Sequence, residues 1–291
     1  MKISKKKLAF VAVCMVLLLV VGLDARLCVQ TYTVDADKID SGVRIALVTD
    51  LHSCKYGKEQ GKLIDALVKQ SPDLVLLGGD IFDDIKEDRN TEVFLAGIAD
   101  KFPCYYVTGN HEYWASQEQF EQKMKILEKY SIQVLSGNME TLTVNGETIH
   151  LCGVKDPDAY MVEWDVEINP KEYIQAEINK ENVFIEQLAY LSEVSKDHYT
   201  ILLSHRPEYY ETYTNYDFDL VLCGHAHGGQ WRLPGILNGL YAPNQGFFPE
   251  YAGGRYDNGE MSMIVSRGLA RETTRVPRIF NRPELVIVDV K

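Results

Sequence analysis

Five short polar motifs, each directly after an apolar, strand-like run, constrain the fold of this chain more than any other feature. The motifs are Asp50-Leu-His52, Gly79-Asp80-Ile-Phe-Asp83, Gly109-Asn110-His111-Glu112, Ser204-His205 and Gly224-His225-Ala-His227. The preceding runs are rich in Val, Ile and Leu, which is typical of buried strands. Strands that alternate with helical segments predict an α/β sheet, whose ligand sites collect at the carboxyl ends of the strands. We therefore expect the five motifs to form one site.

The segments after residue 130 depart from simple alternation. Strand-like segments at 132–135, 141–144 and 147–154 lie close together, and Asn145-Gly146 is typical of a two-residue hairpin. A polar, aromatic insertion at 155–180 precedes a helix near 182–194. Because a hairpin joins antiparallel strands, we predict a mixed α/β (α+β) fold over residues 43–291. Its two mixed β-sheets should pack as a sandwich flanked by helices.

Residues 1–24 are predicted to be a signal-anchor or a signal segment. Lysines among the first seven residues precede an uncharged run from Leu8 to Leu23, which Asp24 ends. As a helix this run spans roughly 24 Å, against ~30 Å for the hydrocarbon core of a bilayer. The lysines should stay in the cytoplasm, which predicts a single-pass protein of the cell membrane with its domain outside the cytoplasm. Secretion or attachment to the cell wall after cleavage is the alternative. Residues 25–42 are predicted to be a linker or a strand leading into the domain.

The charge balance bears on partners. The chain has 42 acidic and 30 basic residues, which gives a net charge of -12. Binding to nucleic-acid phosphates needs a stripe of basic side chains, so nucleic acid is not an expected partner.

Together the motifs supply ligands for two divalent metal ions. The predicted metal ligands are Asp50, His52, Asp80, Asn110, His205, His225 and His227. Asp80 is expected to bridge the ions, Asp50, His52 and His227 to complete one, and Asn110, His205 and His225 the other. Mixed oxygen and imidazole ligands suit Mn²⁺, Zn²⁺ or Fe, and they disfavour a calcium cage or a thiolate site. A hydroxide bridging the ions would then attack phosphorus in line.

Each motif alone also has a purely structural explanation. An Asp-x-His after a strand can cap a helix or lie in a solvated loop, and Gly79-Asp80 is a turn sequence. A single histidine such as His205 can simply belong to the core or the surface. The joint occurrence of all five motifs in one order, at strand ends, favours the metal site.

Other residues are candidates for lesser roles. His150 and His198 lie outside the motifs and are predicted to be structural. Three aromatic residues could either flank a substrate or pack, and two arginines could either hold a non-reacting phosphate or form salt bridges. These residues are Tyr113, Trp114, Trp231, Arg206 and Arg267.

In this order, Asp-x-His, Gly-Asp-x-x-Asp, Gly-Asn-His-Glu, a single His and Gly-His-x-His resemble the motifs of the calcineurin-like metallophosphoesterases. The resemblance extends from about residue 43 to the C-terminus. It implies a two-sheet sandwich, a dinuclear metal centre and hydrolysis of a phosphoester. It further implies that His111 is the general acid that protonates the leaving alkoxide and that Asp83 orients His111.

A narrower resemblance lies near the C-terminus. The segments 227–234, 266–268 and 278–284 are similar to the small bacterial membrane-associated branch of that family. This branch includes UDP-diacylglucosamine pyrophosphatase-like and cell-wall-associated phosphoesterases, which implies a phosphodiester or pyrophosphate substrate that is lipid-linked or part of the cell envelope. Protein phosphatases of the superfamily carry Arg-Gly where this chain has Asp84-Ile85, which disfavours a phosphoprotein substrate.

The leading hypothesis is thus a metallophosphoesterase acting on a phosphorylated small molecule or a lipid-linked substrate. A nucleotide-directed or general phosphomonoesterase or phosphodiesterase is the alternative enzyme. A non-catalytic scaffold with the same fold is a third hypothesis, and the presence of both His111 and Asp83 argues against it.

Overall fold

The structure is a computed structural model that describes residues 5–160, 170–271 and 276–291. Its helices are α1 (Lys5–Gly22), α2 (Gly61–Gln70), α3 (Arg89–Ile98), α4 (Asn110–Trp114), α5 (Gln117–Lys129), α6 (Pro170–Val194) and α7 (Tyr210–Tyr213). The first seven strands are β1 (Cys28–Val34), β2 (Val43–Val48), β3 (Leu74–Gly78), β4 (Cys104–Val107), β5 (Gln133–Val134), β6 (Asn138–Val144) and β7 (Glu147–Gly153). The others are β8 (Tyr199–Leu203), β9 (Leu220–Cys223), β10 (Tyr241–Ala242), β11 (Gly246–Phe247), β12 (Gly254–Asp257), β13 (Ser262–Val265) and β14 (Glu284–Val290).

Two six-stranded mixed sheets form the body of the protein. The first has the order β1-β14-β2-β3-β4-β5, in which only the β14–β2 pair is antiparallel. The second has the order β12-β13-β9-β8-β7-β6, with antiparallel pairs at both ends and parallel strands between them. The β6–β7 hairpin turns at Asn145 and Gly146, whose φ angles are +53° and +88°. Positive φ at both turn residues is what a type I′ turn requires, so the predicted hairpin is confirmed.

The sheets pack face to face. Alternate residues of the central strands, among them Ile45, Leu76, Leu203 and Leu222, point between the sheets and are fully buried. The opposite faces of the same strands are covered by helices: α2, α3 and α5 pack on the first sheet, and α6 packs on the second. The predicted α/β sandwich of two mixed sheets with flanking helices is therefore confirmed.

The N-terminal prediction is not confirmed in its membrane-spanning form. No helix in the described part of the chain is long and apolar enough to cross a membrane. Helix α1 has 18 residues, and its first three are lysines, which shortens its apolar part. Residues 1–4 of the predicted segment lie outside the described residues, as do residues 161–169 of the predicted insertion. Within 25–42, β1 pairs in parallel with β14 at the edge of the first sheet.

Candidate metal centre

The five polar motifs follow five strands whose carboxyl ends meet at one edge of the sandwich. In the first sheet, β2, β3 and β4 are neighbours and precede the motifs around residues 50, 80 and 110. In the second sheet, β8 and β9 are neighbours and precede His205 and His225. Hydrogen bonds join the two sets across the sandwich. The His205 Nδ1–H donates to the Gly78 carbonyl at 2.8 Å, and the His225 backbone N–H donates to Asp50 Oδ1 at 2.9 Å.

The predicted ligands fall into two clusters. Asp50, His52 and His227 place ligand atoms within 4.8 Å of one another, and so do Asp80, His205 and His225. Asp80 Oδ2 lies 3.2 Å from His205 Nε2 and 3.6 Å from His52 Nε2, so it stands between the clusters. The seventh predicted ligand, Asn110, is buried beside His111. The structure thus brings six of the predicted ligands together, and Asn110 directly precedes His111, whose backbone N–H donates to Asp80 Oδ1 at 2.9 Å.

The buried ligand atoms lack ordinary partners. Within the described residues no hydrogen bond reaches six buried donor and acceptor atoms of the predicted ligands, namely Asp50 Oδ2, His52 Nε2, Asp80 Oδ2, Asn110 Oδ1, His205 Nε2 and His227 Nδ1. Buried polar atoms in folded proteins nearly always have a partner, because leaving one unpaired costs about 1–3 kcal/mol. A set of convergent oxygen and imidazole atoms without partners fits a pair of divalent metal ions.

The backbone at the site is held in an uncommon conformation. Five predicted ligands have φ angles in the left-handed region, namely Asp50 (+50°), His52 (+46°), Asp80 (+52°), His225 (+65°) and His227 (+47°). A residue other than glycine pays of order 1 kcal/mol or more for this conformation, and such residues concentrate at functional sites. The glycines of the motifs relieve crowding nearby. A Cβ on Gly109 would lie 2.3 Å from Asp80 Oδ1.

Burial and the charges of neighbouring side chains shift the pKa values of the predicted ligands. Burial lowers the pKa of His205, but attraction to Asp80 outweighs burial and raises that pKa to about 10. Burial raises the pKa of Asp80, yet attraction from His205 and His111 holds it well below its usual value. For His225 and His227, burial is the main cause of pKa values well below the usual range. A divalent cation would compete with the proton for His205 Nε2, because a metal-bound imidazole must be neutral.

A family model described as calcineurin-like phosphoesterase matches residues 43–229, which is more than half of the chain. The chain belongs to the calcineurin-like phosphoesterase family. With its His and Asp clusters it is a metallophosphoesterase, a metal-dependent hydrolase of phosphoesters.

Two relatives are similar in sequence over most of the chain. An uncharacterized metallophosphoesterase of Aquifex aeolicus is 28% identical over 270 residues, which cover 90% of this chain and 91% of that protein. Phosphodiesterase YaeI of Escherichia coli is 25% identical over 252 residues, covering 85% and 82%. Among solved structures, TT1561 of Thermus thermophilus aligns with a TM-score of 0.49 and 14% identity, over 79% of this chain and 91% of that one.

Glu112 ties two loops of this metallophosphoesterase together. Its buried carboxylate accepts hydrogen bonds from the backbone N–H groups of Asp80 (3.1 Å), Phe82 (3.1 Å) and Gly109 (2.7 Å). Burial, together with repulsion from Asp80, raises the pKa of Glu112. The loop that carries Asp80 is therefore held against the loop that carries Asn110. Glu112 lies in the third polar motif, but the sequence alone does not indicate this role.

Two residues of the C-terminal segment 278–284, Asn281 and Glu284, make hydrogen bonds to the backbone around the site. Asn281 is buried and its Nδ2 donates to the carbonyl oxygens of His227 (2.7 Å) and Gln230 (3.1 Å). Glu284 accepts from the backbone N–H and the Nε of Arg267 at 2.8 and 2.6 Å. Arg267 is thus in a salt bridge, one of the two roles predicted for it.

Arg206 is also engaged in an ion pair. Its guanidinium is buried and donates to both carboxylate oxygens of Asp156, at 2.5 and 2.7 Å. The remaining nitrogen donates to Asn244 Oδ1 at 2.9 Å, and the same oxygen lies 2.9 Å from His225 Nε2. Arg206 Nη1 also lies 3.2 Å from His225 Nε2, so Arg206 and Asn244 both contact the same ring nitrogen of a predicted metal ligand.

The surroundings of His111 differ from the prediction. Asp83 was expected to orient His111, but the His111 Nδ1–H donates to Asp84 Oδ1 at 2.7 Å. Asp83 instead lies 3.3 Å from His52 Nδ1 and accepts from the backbone N–H groups of Ile85 and Lys86. Burial raises the pKa of Asp83, but the contact with His52 and these backbone groups lowers it to about 2.

The remaining candidates divide between packing and the site. Trp114 is 57% exposed, and its ring centroid is 4.5 Å from that of His111. Tyr113 is buried and stacks on Phe120, so it is a packing residue. His150 hydrogen-bonds the Ser195 carbonyl and packs on His198, away from the predicted ligands.

Proposed function

We propose that this metallophosphoesterase hydrolyses a phosphodiester or pyrophosphate bond, with two divalent ions (Mn, Zn or Fe) as cofactors. The position of Asp80 Oδ2 between His52 Nε2 and His205 Nε2 carries the proposal, because a shared carboxylate is what two ions ~3.5–4 Å apart need. Asp50, His52 and His227 would hold one ion, and Asn110, His205 and His225 the other. The ions would supply a water ionised near neutral pH and would polarise the phosphoryl group.

The chain's own side chains would complete the chemistry. The His111 ring lies 4.4 Å from the His52 ring, centroid to centroid, so it borders the proposed metal pair. It is partly exposed and is positioned to give a proton to the leaving oxygen. Trp114 packs against His111 and faces solvent, which places an apolar surface where a leaving group would lie.

Two observations favour a diester or pyrophosphate over other phosphoesters. The E. coli relative is named a phosphodiesterase, and it aligns with most of this chain. The two arginines that the sequence offered for a non-reacting phosphate, Arg206 and Arg267, are both engaged by carboxylates and are not free to hold the extra charge of a phosphomonoester. The proposed substrate is therefore a diester or pyrophosphate, lipid-linked or from the cell envelope as the C-terminal motif implies.

The test is metal content and hydrolysis measured on the same purified, full-length protein. We expect about two ions per chain and faster hydrolysis of bis-p-nitrophenyl phosphate than of p-nitrophenyl phosphate. Replacement of His205 by Ala should abolish turnover, while the matched variant His198→Ala, in a histidine outside the motifs, should not. If the protein binds two metal ions but hydrolyses only the monoester, the diester proposal is wrong and the protein is a phosphomonoesterase. No metal and no turnover would overturn the metal assignment.

We also propose that residues 1–24 direct export, so that the domain works outside the cytoplasm. The support is the lysine-rich start and the uncharged run that follows it. Several side chains of that run, including Phe10, Leu18 and Val20, are exposed in the described helix α1. Protease treatment of intact cells should degrade the protein, and N-terminal sequencing would distinguish retention from cleavage. Protection from protease in intact but not in lysed cells would contradict export.

A further inference from the structure

We infer that Asp84, and not Asp83, is the positioning residue for His111 in the proposed reaction. The inference rests on the proposed function, in which His111 protonates the leaving oxygen. Its basis is the 2.7 Å hydrogen bond from His111 Nδ1 to Asp84 Oδ1. A carboxylate has no proton to donate at neutral pH, so the ring nitrogen must be the donor. This bond keeps a proton on Nδ1 and fixes the plane of the ring, so the proton that the imidazolium form of His111 gives up is the one on Nε2.

The neighbouring carboxylate is already committed elsewhere. Asp83 Oδ1 accepts the backbone N–H groups of Ile85 (3.0 Å) and Lys86 (2.9 Å), which closes the turn after the motif. Asp83 Oδ2 faces His52 Nδ1 at 3.3 Å and so supports a predicted metal ligand. The turn that Asp83 closes directs the next side chain, Asp84, toward His111. The two acids therefore have separate roles. Asp83 contacts the predicted metal ligand His52, and Asp84 positions His111.

The ring of His111 is fixed on its other sides as well. Its backbone N–H donates to Asp80 Oδ1 at 2.9 Å, which ties its position to the shared carboxylate. The His52 ring meets it edge to face at 4.4 Å, and the Trp114 ring packs against it at 4.5 Å. Asp84 is the described contact that reaches Nδ1, so it alone among these sets the direction of the proton on Nε2.

The proposed step conserves atoms and charge. The oxygen of water forms a bond to phosphorus as the bond from phosphorus to the leaving oxygen breaks. The proton on His111 Nε2 moves to the leaving oxygen, which departs as an alcohol or phenol, and the proton that water releases later restores the ring. A misdirected Nε2–H would slow this step most when the leaving oxygen is strongly basic.

The test compares two diesters that differ in leaving group, diphenyl phosphate and bis-p-nitrophenyl phosphate, on the metal-loaded full-length protein. Phenolate is the more basic leaving group and depends more on protonation. For Asp84→Asn we expect kcat to fall roughly 10²-fold on diphenyl phosphate and less than about threefold on bis-p-nitrophenyl phosphate, with little change in KM. In a His111→Ala background, Asp84→Asn should have no further effect, because both changes remove one function.

Adjacent acids supply the controls. Asp83→Asn acts through His52 and should slow both substrates by the same factor, whereas Glu87→Gln, in an exposed side chain, should change neither. An equal loss on both substrates in Asp84→Asn would overturn the inference, as would loss of bound metal, which would make Asp84 a ligand. If the unaltered protein hydrolyses neither diester, the proposed function fails and not the assignment of Asp84 alone.

Discussion

Asp80 Oδ2 and His205 Nε2 face each other at 3.2 Å, both buried and neither with a hydrogen-bond partner in the described part of the chain. The same oxygen lies 3.6 Å from His52 Nε2, which belongs to the other cluster. Both clusters therefore share the carboxylate of Asp80. This sharing distinguishes a dinuclear centre from two independent metal sites.

Replacement of Asp80 by Asn should empty both sites together. An amide oxygen is neutral and offers only one ligand atom, so it cannot bridge two cations as a carboxylate does. Changes to residues that only support metal ligands lower metal affinity or activity by about 10–100-fold. Because Asp80 is itself a predicted ligand, we expect hydrolysis to fall by more than roughly 100-fold. Metal analysis after gel filtration should find less than about one ion per chain. Asp65→Asn, an exposed acid in α2, is the matched control and should keep both ions.

Removal of one terminal ligand should affect one site more than the other. His227→Ala removes a member of the Asp50 cluster, and His205→Ala removes a member of the Asp80 cluster. Each variant should retain about one ion per chain, because the remaining cluster keeps its own ligands. Titration with Mn²⁺ or Co²⁺ followed by spectroscopy should show different surviving sites in the two variants. Identical spectra from both would argue against two distinct positions.

Gly109 should tolerate no side chain. A Cβ at this position would lie 2.3 Å from Asp80 Oδ1 and 2.7 Å from the Asp80 backbone nitrogen. Gly109→Ala must therefore displace the shared carboxylate, and we expect hydrolysis to fall by roughly 100-fold, as for other losses of alignment. Gly61 begins α2, a Cβ at this position would meet no atom within 4 Å, and its φ of -54° is an ordinary helical value. Gly61→Ala should leave activity unchanged and stabilise the protein by ~0.4–1 kcal/mol in a urea titration.

The elements that the sequence predicted well are the central strands. Strands β4, β8 and β9 lie where apolar runs precede the polar motifs, and nearly all of their residues are buried. Strand β1 was left open between a linker and a strand, because its residues alternate between partly buried and exposed. Helix α4 has five residues, too few to produce a helical period, and the sequence did not predict it.

The predicted site shows a similar division. Metal ligands follow strand ends, so their convergence can be argued from the chain order alone. The hydrogen-bond partner of His111 could not be predicted in this way, because Asp83 and Asp84 are adjacent acids. The choice between them depends on the turn that Asp83 closes. The roles of Glu112, Asn281 and Asn244 likewise depend on contacts between distant segments, which no local pattern reveals.

Glu112→Gln should destabilise the protein without removing a metal ligand. The carboxylate accepts three backbone N–H groups, two at Oε2 and one at Oε1. A glutamine can place its oxygen at only one of these positions, so its NH₂ group must face at least one buried N–H. We expect the free energy of unfolding to fall by about 1–3 kcal/mol. Gln119→Glu, which replaces an amide by a carboxylate at the exposed start of α5, is the control. It should change the free energy of unfolding by less than about 0.5 kcal/mol.

Arg206 and Asp156 provide a test of charge burial beside the metal centre. Arg206→Met leaves the buried Asp156 carboxylate without its two-nitrogen partner, and removal of one member of a buried pair costs about 3–5 kcal/mol. The double variant Arg206→Met, Asp156→Asn removes the stranded charge, so it should be more stable than Arg206→Met alone. Lys129→Met, in the exposed pair with Glu92, is the control and should cost no more than about 1 kcal/mol. Urea denaturation at a fixed metal concentration measures all three. A double variant less stable than Arg206→Met would show that the Asp156 side chain stabilises the fold through the hydrogen bond that it accepts from the Asp158 N–H, and that its buried charge is not the main cost.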